Sequence, residues 1–208
     1  AANIEHDAFG CGSFDCYENG NLLGRITLSV PGIHNVSNAL ATVAAVRTLG
    51  IPADAIIEGL KNFTGADRRF EYKGKMGEVT VIDDYAHHPT EIKATLTATV
   101  NYPHRETWVI FQPHTYTRTK ALLPEFAEAL TGADHIILAK IYEAREKDIY
   151  GISSQDLADE ISKYGKDVRY IPTFSEIEEY VRTHCKPGDI LITMGAGNVT
   201  DIGPALID

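Results

Sequence analysis

The sequence predicts an α/β protein: a doubly wound, mostly parallel sheet, preceded by a smaller segment of strands and then helices. Three observations carry this. From Phe70 onward, short apolar runs alternate with helical stretches, the pattern of a parallel sheet wound with helices. Thr107–Phe111 (TWVIF) is continuously apolar, as a strand buried on both faces must be. Residues 79–91 (VTVIDDYAHHPTE) pass from an apolar β-rich run straight into two carboxylates, a tyrosine and two histidines, and Pro89 then opens a helix.

In chain order, residues 1–30 read as a hairpin or meander, with Asn19-Gly20 as a strong turn signal between FDCYE and LLGRITL. Val30-Pro31-Gly32 breaks the strand. Residues 35–49 form an alanine-rich helix with Val36, Leu40, Val43 and Val46 near helical spacing, capped by Asn35 or Ser37 and stopped by Gly50. Pro52 starts a second helix that runs to Lys61. FTGADRRF is polar and contains glycine, so the domain boundary falls there, with residues 1–67 before it and 68–208 after it. Residues 70–75 and 78–82 pair as a hairpin. Helix 90–100, strand 107–111, helix 119–130, strand 136–139, helix 153–163, strand 168–171, helix 175–184 and strand 189–193 follow, then GAGN and a closing helix.

The 208 residues carry a net charge of −10, with 44% hydrophobic and 23% charged residues. That composition is ordinary for a soluble globular chain. The acidic balance speaks against gripping nucleic acid or an anionic membrane through the overall field. No apolar run approaches the ~18 residues of a membrane helix, and the start lacks a signal-peptide pattern, so the cytoplasm is the expected compartment. Cys11, Cys16 and Cys185 are too few and too scattered for a disulfide framework or a metal site. The opening residues read like the interior of a β-rich domain, so the chain is expected to be a fragment of a longer protein.

Four strand ends are polar in a specific way. They supply Asp83, Asp84, Tyr85, His87 and His88; then Gln112, His114, Tyr116, Thr117 and Arg118; then Lys140, Tyr142, Glu143, Arg145 and Glu146; and last Gly195, Ala196, Gly197 and Asn198. In a parallel sheet all four converge on one edge, where open α/β sheets bind ligands. Arg118 near a helix start suits a carboxylate or phosphate. Asp83 and Asp84 could be helix N-terminal anions or solvated loop residues, but their place at the exit of a buried strand favours function, and a carboxylate there is the usual partner of ribose hydroxyls. His87 and His88 beside Pro89 could simply cap a helix, and the divergence of adjacent side chains disfavours a two-histidine metal site. GAGN is half of a dinucleotide fingerprint, and its amides could receive an anion. His34, Asn35 and Asn38 lie near one turn and could meet the edge of a heterocycle. Arg68 and Arg69 could face a phosphate or form a salt bridge. No GxxxxGK[ST] phosphate loop is present.

VPGIHNVSNALA, RRFE, DDYAHHPTEI, FQPHTYTRT, IYEARE and MGAGNVTDIG occur in an order and at spacings that resemble the Mur ligase family across essentially the whole chain. QPHTYTRT and IYEARE resemble its alanine-adding member; the nearest competitor is the murein-peptide recycling ligase. The resemblance implies that residues 1–67 are the end of a central ATP-binding domain and 68–208 a C-terminal Rossmann-like, amino-acid-binding domain. It implies a cytoplasmic reaction of peptidoglycan synthesis, in which ATP phosphorylates the carboxylate of UDP-N-acetylmuramate and L-alanine attacks the acyl phosphate. Mg2+ accompanies ATP, with its ligands upstream and none in this fragment. His34, Asn35 and Asn38 would contact adenine, Arg69 would reach ATP, and Asp84 the ribose. Tyr85, His114 and Arg118 would line the alanine pocket, with Asp83, His87, His88, Gly195 and Gly197 in support. Without the upstream phosphate loop the fragment itself would not turn over. Thr115, where some members have a basic residue, and GAGN in place of GAGD depart from the pattern. The alternative class is a non-catalytic module that binds nucleotide or amino acid.

Overall fold

In the computed structural model, which describes residues 1–207, Asn19 and Gly20 both adopt positive φ, at 50° and 83°. Two such residues match the right-handed twist of a hairpin, and they fold β2 (Cys11–Glu18) onto β3 (Asn21–Pro31). β1 (Ala2–His6) pairs on the other side of β2, giving an antiparallel sheet of order β1-β2-β3. Two helices follow, α1 (Ile33–Thr48) and α2 (Ala53–Asn62). Alternate strand residues Phe14, Cys16, Ile26 and Leu28 are buried with Val36, Ala39 and Val43 of α1 and Ile56 of α2. The N-cap expectation needs correction. α1 starts two residues early, after Gly32 at φ 98°, with no side-chain cap. Asn35 instead donates back to the Pro31 carbonyl at 2.8 Å.

By contacts the chain divides into two compact units, residues 1–66 with 97–103, and residues 67–96 with those from 104 onward. The second holds a six-stranded sheet of order β4-β5-β9-β6-β7-β8. Its strands are β4 (Glu71–Met76), β5 (Val79–Asp84), β6 (Thr107–Phe111), β7 (His135–Leu138), β8 (Asp167–Tyr170) and β9 (Ile190–Met194). β4 is antiparallel to β5, and every other pairing is parallel. The last strand is inserted between β5 and β6, so the winding reverses there. β6 and β9, with neighbours on both sides, are buried at every residue. Trp108, Ile110, Ile137 and Leu191 pack with Ile177 and Val181 of α7 (Phe174–His184).

The helix expected over 119–130 is two helices, α4 (Tyr116–Ala121) and α5 (Leu123–Leu130). Pro124 stands in the first turn of α5. It has no N–H to offer Lys120, so the helix breaks at Leu122 and restarts. α3 (Pro89–Thr99) and α6 (Ser154–Ser162) lie within two residues of expectation, the latter with a capping box of Ser153 and Asp156. The closing helix is a 3-10 turn, Asn198–Asp201, and a short α8 (Ile202–Leu206). No helix among the described residues is long and apolar enough to cross a membrane.

Candidate functional site

β5, β9, β6 and β7 are adjacent and parallel, so the four polar strand exits do share one edge of the second unit. What each residue does there differs from its neighbours. Asp83 is wholly buried. Its carboxylate accepts from Arg68 Nε at 2.9 Å, Thr193 Oγ1 at 2.6 Å and Thr200 Oγ1 at 2.9 Å. Arg68 also donates to the Gly195 carbonyl at 2.6 Å. Arg68 is thus a brace within one unit.

Asp84, the residue sent to a ribose by the resemblance, is 5% exposed. It accepts from Phe70 N, Ala86 N and Thr95 Oγ1 at 2.8–3.1 Å. Both its oxygens are engaged in shaping the loop. Burial pushes its carboxyl above the ordinary 3.8, and the three donors pull back without overcoming it.

Beyond these carboxylates a row of rings and cations runs along the edge. Arg68 and Arg69 lie over the Tyr85 ring at 4.9 and 5.5 Å. Tyr85 meets His87 edge-on at 5.3 Å, His87 lies 5.9 Å from His114, and His114 stacks on Tyr142 at 5.6 Å and 24°. His87 Nδ1 sits 2.9 Å from the Tyr85 carbonyl. A carbonyl can only accept, so Nδ1 carries the proton and Nε2 of a neutral ring is left as the acceptor. Glu91 accepts from the His87 amide at 3.0 Å and from Arg69 at 3.4 Å, fixing the start of α3. His88 is exposed and faces the Thr90 amide at 3.3 Å, as a helix cap.

Arg118, on the first turn of α4, places Nη1 3.5 Å from His114 Nδ1 and has no carboxylate partner among the described residues. Burial holds the His114 imidazole below its ordinary 6.5; Arg118 and His87 press the same way, and Glu146 opposes them. His114 is therefore neutral at pH 7. The turn before α4 is strained. Thr115 has φ 65° and ψ 145°, a region that a β-branched residue rarely enters. It is pinned by Thr115 N to the Tyr142 carbonyl at 2.9 Å and by two donors of Thr119 on its own carbonyl at 2.7 and 3.2 Å. Glu146 folds back to accept from the amide and hydroxyl of Thr117. Arg68, Phe70 and Ala144 are the other non-glycine residues of this unit at positive φ. All flank the same edge.

The glycines act by leaving room. A Cβ on Gly195 would stand 2.7 Å from the Gln112 carbonyl. One on Gly197 would stand 2.3 Å from Gln112 Oε1 and 2.7 Å from Tyr142 Cγ. Buried Gln112 ties the exits together: Nε2 donates to Asn198 Oδ1 at 3.0 Å and Oε1 accepts from Val199 N at 3.1 Å. Of the GAGN amides, that of Gly195 is taken by the Asp84 carbonyl, and the amide that follows the run, Val199 N, by Gln112. Asn198, in the GAGD position, serves as that glutamine's acceptor.

His34, Asn35 and Asn38 lie in the other unit, on the first turns of α1, where Asn38 donates to Asn35 Oδ1 at 3.0 Å. Asn35 and Asn38 line a cavity of about 450 Å³ whose other walls are mostly apolar, among them Leu28, Val46, Leu60 and Phe63. No group of three or more His, Cys, Asp or Glu among the described residues could hold a metal ion. Burial pushes the thiols of Cys11 and Cys185 up to about 11 and about 12, so neither is a nucleophile. Tyr116, noted at a strand exit, is packing: it is buried with Ile141 and Ile152. Sequence reasoning assigned no part to Gln112 or Tyr142, although both stood in its strand-end runs. The signal was the polar and aromatic run of Gln112 and His114 past one parallel strand and of Tyr142 past the next, which is weak without the register.

Residues 68–197 match the family model for the Mur ligase, glutamate ligase domain. The chain is 55% identical over 205 residues to the UDP-N-acetylmuramate–L-alanine ligase of Agathobacter rectalis, covering 99% of the chain and 45% of that protein. It is 52% identical to the ligase of the same name from Lachnospira eligens, covering 100% of the chain and 45% of that protein. The chain therefore spans about half the length of the curated relatives it matches. Among solved structures, UDP-N-acetylmuramate-alanine ligase MurC from Thermotoga maritima superposes with a TM-score of 0.80 at 27% identity, over 98% of the chain and 44% of that structure. A murein peptide ligase from Psychrobacter arcticus superposes at 0.66, also at 27% identity, over 98% of the chain and 42% of that structure.

Proposed function

We propose, starting from the fact that this chain belongs to the Mur ligase family, that it is the distal part of an enzyme that joins L-alanine to UDP-N-acetylmuramate at the expense of ATP. The enzyme would act in the cytoplasm, in peptidoglycan synthesis. Residues 1–67 are then the end of a central ATP-binding domain, and 68–208 the amino-acid-binding domain. The observation that carries the reading is Arg118: a guanidinium at the sheet edge, beside a neutral imidazole, with no carboxylate partner among the described residues. A forked donor in that state suits the carboxylate of an amino acid. The relatives' names supply its identity as alanine.

In this reading Arg118 and His114 hold the α-carboxylate. Arg118 faces His114 Nδ1, which leaves Nε2–H as the second donor. Tyr85 closes the other side. Alanine arrives as an ammonium ion and must lose a proton before its nitrogen can attack an acyl phosphate. His87 offers Nε2 for that proton, because its Nδ1–H is committed to the Tyr85 carbonyl. Arg69 reaches toward a phosphate of ATP, and His34, Asn35 and Asn38 receive adenine beside the cavity of the first unit. Asp84 acts through the loop it builds, and Asp83, His88, Gly195 and Gly197 support the same edge. Mg2+ would accompany ATP, with its ligands in another part of the whole enzyme.

The test is phosphate release from ATP by the protein extended to the length of its relatives, with UDP-N-acetylmuramate present and L-alanine added or omitted. Release that requires both supports the assignment, and Arg118→Ala then raises KM for alanine far more than KM for ATP. Release only with a preformed peptide moves the protein to the recycling ligases. No release with either leaves a binding module.

A further inference from the structure

We propose that Tyr142 is the wall that limits the size of the amino acid's side chain. The proposal rests on the reading of Arg118 as the carboxylate holder and goes beyond it, because nothing in that reading says what rejects a larger amino acid. Beyond the last residues of β6 and β7 the two loops remain paired through a parallel bridge of His114 with Tyr142. Tyr142 N donates to the Pro113 carbonyl and Thr115 N to the Tyr142 carbonyl, both at 2.9 Å. Partners in such a bridge present their side chains on the same face. The two rings accordingly stack at 5.6 Å.

Arg118 contacts the same His114. In an α-amino acid the side chain begins two bonds from the carboxylate carbon. A ligand whose carboxylate lies on Arg118 and His114 therefore puts its side chain within reach of His114 and the ring stacked on it. Tyr142 is placed to act as a fixed wall. It is 37% exposed, so its ring is not absorbed into the core. Its Cγ occupies the space that a Cβ on Gly197 would need, and Gln112 holds that glycine's loop through Asn198 and Val199. A methyl group can lie against such a ring, whereas each further methylene must displace it. Pockets that exclude a methylene discriminate by roughly 10- to 200-fold.

The experiment uses the full-length enzyme and compares kcat/KM for L-alanine with kcat/KM for L-2-aminobutyrate and L-valine. In Tyr142→Ala the preference for alanine is expected to fall about tenfold or more, while KM for ATP stays put. Tyr142→Phe, which keeps the ring, is expected to keep the preference. Tyr142→Trp thickens the wall and is expected to raise KM for alanine with KM for ATP unchanged. Should Tyr142→Ala fail to fold, the Phe and Trp variants decide. An unchanged preference in folded Tyr142→Ala, or an unchanged alanine KM in Tyr142→Trp, overturns the wall and leaves the ligase reading standing. Absence of any alanine-dependent phosphate release from the unsubstituted enzyme overturns both.

Discussion

Arg68→Ala removes the single cation from a wholly buried carboxylate and should destabilise the second unit by about 3 kcal/mol. The arithmetic follows the contacts. Asp83 loses Nε at 2.9 Å and keeps two hydroxyl donors, and the Gly195 carbonyl loses Nη2 at 2.6 Å. Breaking a buried ion pair costs about 3–5 kcal/mol. The Arg68 side chain is 22% exposed, so water can enter behind it and the lower end applies. The orphaned carbonyl adds about 1 kcal/mol, part of which water restores. Urea unfolding followed by fluorescence of Trp108 reports this unit alone, because Trp108 is the single tryptophan and lies buried on β6. A thermal midpoint about 10 °C lower is the corresponding expectation. Asp83→Asn in the Arg68→Ala background should recover about 2 kcal/mol against the sum of the single costs, since an amide needs no cation. A loss below about 0.5 kcal/mol, or costs that simply add, would refute the idea that the pair braces the edge.

Three other outcomes follow from the same geometry. At Thr115, glycine relieves the positive φ while alanine retains it, and both lose the hydroxyl that caps Arg118 N; Thr115→Gly should therefore be more stable than Thr115→Ala by about 1 kcal/mol in the same urea assay. Arg118→Ala should raise the His114 pKa back toward 6.5, read by NMR titration of the ring, because a neighbouring positive charge is removed; an unmoved or lower value would contradict the contact. The folded chain keeps the Asp84 proton to a higher pH than the unfolded chain does, so this group's contribution to stability falls as pH rises from 3.8 through its raised value. The cost of Asp84→Asn should accordingly be smaller at pH 7 than at pH 4, and a larger cost at pH 7 would mean that the three donors outweigh burial.

The alternation of strands and helices was legible because a strand buried on both faces has no choice of composition. TWVIF and ILITM are apolar apart from one threonine each and lie at the centre of the sheet. Strand order was not legible. β9 pairs with β5 across more than a hundred residues, and no local pattern encodes which gap it fills. The convergence of the four exits survives that ignorance, since it needs parallel strands and nothing about their order. The break at Leu122 was legible in principle. Pro124 was in view, but the apolar spacing of Leu122, Leu123, Phe126 and Leu130 reads as one continuous stripe, and a stripe says nothing about a missing N–H.

At the site, an error of two residues in one boundary changes the role of two carboxylates. Read as ending at Ile82, β5 leaves Asp83 and Asp84 in a loop facing a ligand. In the structure β5 runs to Asp84, with Asp83 opposite Thr193 and Asp84 opposite Met194 of β9. A strand still paired inside the sheet has helices or loops over both faces, so a charge there must find its partners within the fold. Asp83 finds Arg68 and two threonines, and Asp84 finds two amides and a threonine. Tyr85 and His87, one and three residues past the last pair, and His114, three past Phe111, are the first side chains free of that demand. What separates the carboxylates bound into the frame from the residues proposed to face a ligand is thus the distance beyond the ends of the strands, and charge alone does not reveal it. In the proposed reading Tyr142 joins them past the end of β7, four residues beyond Leu138, where the isolated bridge to His114 holds its ring against that imidazole.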